Sequence, residues 1–155
     1  MIARVGVLFD YFAASSDEVA AGAIDLPGGP AAGGGGSFDT VPGNGIDPVV
    51  QMGTLEALLT GREYEEIAQG HDAGAVIVSR DESQRLVATL TGELQSALSQ
   101  ADDARLAAIA VPWSQTEEFF GQGDSGVLAA WLGELAGLAR RATTRGEHLY
   151  CWVCV

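Results

Sequence analysis

The chain has 155 residues, 47% of them apolar, which suits one domain with a buried core and argues against intrinsic disorder. Its formal net charge is −13, from 21 acidic residues against eight basic ones, and all eight are arginine (positions 4, 62, 80, 85, 105, 140, 141 and 145). That balance disfavours sequence-independent binding to a phosphate backbone, and the lack of lysine excludes Walker-A, kinase-type, Schiff-base and pyridoxal-phosphate chemistry.

The opening Met1–Asp10 is too short in apolar residues, and too soon closed by Asp10, to be a secretion signal. No stretch approaches the roughly 18 apolar residues of a membrane span. A cytoplasmic address without membrane association is the expectation. Residues 4–13 are rich in Val, Leu, Phe and Tyr and read as a buried strand. Ser15 and Glu18 then stand at capping-box spacing for a short helix that turns Val19 and Ile24 inward. From about 25 to 44 the chain is rich in Gly and Pro, with Gly33 to Gly36 consecutive, and reads as a flexible loop. Asp47 is the N-cap of the next helix, Pro48 its first residue and Gly61 its stop, with Met52, Leu55 and Leu59 on one face.

A second short helix is expected over 63–69, then strands over 74–79 and 85–90 around a polar turn. Thr91 caps a helix carrying Leu94 and Leu98, and Asp102 caps one carrying Leu106 and Ile109. The longest helix runs from about Gly126 to Arg145. Leu128, Trp131, Leu132, Leu135, Leu138 and Ala142 form its apolar stripe, and Gly146 ends it. The tail from His148 to Val155 reads as a final strand. Together these elements predict a single α+β domain over residues 1–155. Its small mixed or antiparallel sheet holds the N- and C-terminal strands, and its helices pack mainly on one face.

Few motifs carry chemistry. Cys151 and Cys154 have C-x-x-C spacing, but inside a strand they fall on opposite faces, roughly 10 Å apart and beyond disulfide reach. Only His71 and His148 could join them as zinc ligands, so neither a metal nor any other cofactor is expected. Gly123-Asp124-Ser125-Gly126 matches the tetrapeptide around a protease nucleophile, yet a helix cap accounts for it more simply. The glycines at 33–36 lack the lysine and the strand–loop–helix frame of a phosphate cradle. The segment Pro112 to Phe120 brings Trp113, Phe119 and Phe120 beside Glu117 and Glu118. Ser114 and Glu117 have capping-box spacing, which would make the segment a cap plus core. The alternative is an aromatic and acidic binding edge made by Trp113, Glu117, Glu118 and Phe119.

Three segments carry a family resemblance: Val7-Leu8-Phe9-Asp10-Tyr11-Phe12-Ala13, Leu59-Thr60-Gly61 at a helix end, and Arg140-Arg141 followed by Arg145-Gly146-Glu147-His148. Over about a third of its length the chain resembles the YfbM-like family of small bacterial domains of unknown function. The resemblance implies an α+β fold and brings no activity with it. Where that family commonly has a Trp and a His before Leu-Thr-Gly, this chain has Met52 and Glu56.

The acidity, the missing catalytic constellation and the aromatic and acidic segment at 113–120 point to a non-enzymatic binding protein of immunity or antitoxin type, with a basic protein as its partner. A small-molecule hydrolase or other cofactor-independent enzyme, using some of Asp10, Tyr11, Glu117 and His148, is the alternative.

Overall fold

The computed structural model describes residues 8–26, 29–30, 38–43, 46–69, 75–116 and 124–155. Among these, six α-helices pack against one five-stranded antiparallel sheet that contains both the first and last strands. The chain order is β1 (Leu8–Ala14), α1 (Asp17–Ala21), β2 (Thr40–Pro42), α2 (Val50–Thr60), α3 (Tyr64–Ala68), β3 (Val76–Arg80) and β4 (Arg85–Thr89). It continues with α4 (Gly92–Gln100), α5 (Asp103–Ser114), α6 (Ser125–Arg145) and β5 (His148–Cys154). The strands lie in the order β2-β1-β5-β4-β3. The two ends of the described chain are thus joined at the centre, where β1 and β5 pair from Leu8↔Cys154 to Ala14↔His148.

Alternation along these strands builds a core on each side of the sheet. Tyr11, Ala13, Leu149, Cys151 and Val153 face the larger one, which α2, α4, α5 and α6 complete. Phe12, Ala14, Tyr150 and Trp152 face the smaller one, covered by α1 and the short 3-10 turn Gly22–Asp25. The helices therefore lie mainly on one face, as the sequence implies. Every residue of the predicted α6 stripe is buried, and Leu132, Leu135 and Leu138 are fully enclosed.

Local signals set most of the boundaries. Thr91, Asp102 and Asp124 cap α4, α5 and α6 through their side chains, while Gly61 and Gly146 end α2 and α6 in the left-handed region. The Asp47 carboxylate accepts the backbone N–H groups of Val49 and Val50 at 2.8 and 2.6 Å, so it caps the start of α2 across the Pro48 turn.

Four expectations need correction. Ser16, not Ser15, caps α1, because it is the Ser16 hydroxyl that reaches the Val19 N–H. Val19 is 47% exposed, and Ala20 takes the inward position. Within the stretch read as a flexible loop, Thr40–Pro42 forms an edge strand on β1, with Tyr11 opposite Val41. Residues 31–37 of that stretch lie outside the described residues. Finally, α5 runs through Pro112 to Ser114. Ser114 closes a helix instead of opening one, and its hydroxyl donates to the Val111 carbonyl at 2.7 Å.

Candidate functional site

Trp113 offers nothing to a partner. It is fully buried, and its indole N–H donates to the Gln51 carbonyl at 2.9 Å, tying α5 to α2. It also stacks near Trp131, with ring centroids 6.3 Å apart. Its place in the binding edge is therefore corrected to a place in the core, the outcome expected of a large aromatic whose one donor finds a backbone acceptor. Glu117, Glu118 and Phe119 lie outside the described residues.

Among the described residues, the three named for an enzymatic role, Asp10, Tyr11 and His148, do not converge. The Tyr11 hydroxyl is buried against the helices and donates to the Ile46 carbonyl. Asp10 points to the other face, opposite Trp152, while His148 sits opposite Ala14 at the exposed end of β5. Those two positions are four residues apart along the strands, roughly 13 Å of rise. Cys151 faces the helical core and Cys154 the opposite side, and both thiols are free. Burial pushes the Cys151 thiol well above its ordinary pKa, which leaves it a poor nucleophile. Among the described residues no three His, Cys, Asp or Glu side chains gather as a metal site would require.

The unusual group is Glu56. On α2, Met52, Leu55, Glu56 and Leu59 follow the i, i+3, i+4, i+7 pattern of one buried face, so a carboxylate occupies an apolar position. Glu56 is 2% exposed. Its Oε1 accepts the Thr91 hydroxyl at 2.5 Å, while the same Thr91 oxygen accepts the Leu94 N–H as the α4 cap. Its Oε2 is met by Arg62 through a single guanidinium nitrogen at 3.4 Å. A well-made pair of this type is bidentate and about half an ångström shorter. Burial therefore raises the Glu56 pKa, the Thr91 hydroxyl and Arg62 oppose the rise, and Glu93 adds to it. A small cavity of about 10 Å³ adjoins the carboxylate, bordered by Val49, Met52, Ile67, Leu90 and Leu94.

A larger, open groove of about 900 Å³ runs along α4, between the end of α2 and the start of α5. Glu93, Ser96 and Gln100 line it from α4, Leu59 and Thr60 from α2, and Asp102 and Arg105 from the α5 start. Glu93 and Asp102 are exposed. Arg105, the cation of this groove, turns one nitrogen onto the Leu59 carbonyl at 3.2 Å.

No family model, curated protein or solved structure matches this chain. Its reading therefore rests on geometry. Sequence reasoning passed over Glu56 as a site because its partner Thr91 lies 35 residues away. The available signal was the charge at an otherwise apolar helical position.

Proposed function

We propose that the protein is a non-enzymatic binding protein whose partner is a basic protein, in the manner of an immunity protein or antitoxin. The observation that carries this reading is the open groove along α4, where the exposed carboxylates of Glu93 and Asp102 outnumber the one arginine among its lining residues, Arg105. Further exposed carboxylates follow at Glu63, Glu65 and Glu66, just beyond the end of α2. Such rim charges steer a basic partner and fix its register. An enclosed pocket with convergent acid, base and nucleophile would favour catalysis instead; among the described residues Asp10, Tyr11 and His148 share no such pocket. On this reading the YfbM-like resemblance concerns the scaffold and brings no activity or partner with it.

The test compares wild type with a double variant, Glu93→Gln with Asp102→Asn. Asparagine still caps a helix, so the fold is kept. Immobilised wild type should retain a basic protein from a lysate of the native host and release it as salt is raised. The double variant should bind that protein more weakly, by roughly fivefold per carboxylate, the equivalent of ~1 kcal/mol each. Equal retention by both forms at low and high salt rules the reading out.

A further inference from the structure

We propose that the Glu56 cavity is the anchor point for one basic side chain of the partner, with Arg62 holding its place in the free protein. This rests on the binding reading above and specifies its chemistry. The floor is an enclosed carboxylate with one short hydrogen bond and one long, single-nitrogen ion pair. A buried charge so poorly paired gains from a better-placed cation. The walls are apolar, from Met52, Ile67 and Leu90. They suit the aliphatic stem of a lysine or arginine whose charge ends on Glu56. Val49, which lines the cavity, and Tyr64, whose ring lies against Gly53 in its wall, are 48% and 36% exposed. An exposed apolar rim about a buried polar floor is the arrangement in which an interface anchor excludes water.

The free protein holds this site closed. About 10 Å³ admits no side chain. Its cover is α3, a five-residue helix that packs chiefly on α2 through Ile67 and Tyr64. The Tyr64 ring lies so near the α2 backbone that a Cβ on Gly53 would come within 2.8 Å of it, which explains a glycine in mid-helix. Arg62 stands in the linker between α2 and α3 with its side chain 39% exposed. Swinging it into solvent breaks one weak contact with Glu56, and a shift of α3 would draw Ile67 away from the cavity wall.

The experiment titrates the folded protein with n-butylammonium and n-propylguanidinium, following backbone amides by heteronuclear NMR, with n-butanol as the uncharged control. Saturable shifts at Met52, Gly53, Ile67 and Thr91 are expected for the cations and not for the alcohol. Removing the competitor with Arg62→Ala should tighten binding about threefold to fivefold, the factor expected for losing a partly exposed pair. Glu56→Gln, a neutral isostere checked for folding by its amide spectrum, should abolish it. Shifts that do not saturate in Arg62→Ala, or that persist unchanged in Glu56→Gln, overturn the anchor. In that event, partner binding that still falls with Glu93→Gln and Asp102→Asn preserves the broader reading. If that pair has no effect either, both fall.

Discussion

Glu56 is a carboxylate with almost no solvent exposure, unlike a glutamate at the surface. Water solvates an ionised glutamate far better than Met52, Ile67 and Leu90 can, so burial, opposed by Thr91 and Arg62, raises the Glu56 pKa. Its folded pKa lies above the ordinary glutamate value of 4.5. The folded state therefore holds the proton more tightly than the unfolded chain does. The stability this brings is fully present below the unfolded pKa and is lost as pH rises through the folded one. Glu56→Gln carries a permanent neutral group that still accepts the Thr91 hydroxyl. It should match wild type at acid pH and be the more stable of the two at neutral pH, with the gap opening above about 4.5. Urea midpoints for both forms over a pH series measure this. A variant weaker than wild type at neutral pH would mean that the Arg62 pair outweighs burial. Asp39 shows the opposite sign. Hydrogen bonds from Arg141 and Arg145, against some opposing burial, hold its pKa below the ordinary carboxylate value. Its contribution is present above the unfolded pKa and fades as pH falls through the folded one.

Among the elements, α6 bears most on the core, since its stripe meets α4, α5 and the β1–β5 centre of the sheet. Leu135 is fully enclosed at the middle of that stripe. Leu135→Ala should cost about 2–5 kcal/mol, through lost transfer energy and the cavity left behind. A loss below ~1 kcal/mol, read from denaturant curves with unchanged slope, would place the core elsewhere. This helix was legible in the sequence because its signals are local: the Asp124 cap, seven-residue periodicity and Gly146 all lie on one continuous segment. The Thr91 and Asp102 caps and the sheet-face separation of Cys151 from Cys154 were legible for the same reason. What escaped depends on partners distant in sequence. Thr40–Pro42 has three residues and ends in proline, so only pairing with β1 makes it a strand. Pro112 is an ordinary stop signal, yet burial of Trp113 carries α5 past it. Glu56 reads as a surface residue until β4 and α4 bring Thr91 over it.

For the whole molecule, the governing quantity is the net charge of −13. Described ion pairs join Arg62 to Glu56, Arg80 to Asp25, Arg85 to Asp81, Arg141 and Arg145 to Asp39, and Arg145 to Glu147. Most have an exposed arm, and each is worth at most about 1 kcal/mol. Salt weakens these pairs, and it also weakens the repulsion among the uncompensated carboxylates. Spreading the net charge over a sphere of the expected size, and over the larger unfolded chain, gives the second effect a scale. Going from 0.01 M to 0.15 M salt should relieve ~4 kcal/mol more repulsion in the folded state than in the unfolded state. Even a few kcal/mol exceeds what screening removes from pairs of this kind, so repulsion wins. The urea midpoint should rise with added sodium chloride over that range, steeply at first and then levelling off. A basic partner supplies the same neutralisation locally, so it should raise the midpoint most at low salt, with its benefit shrinking as salt takes over. If the midpoint of the free protein falls instead, the ion pairs dominate, and the acidity gives no thermodynamic pull toward a basic partner.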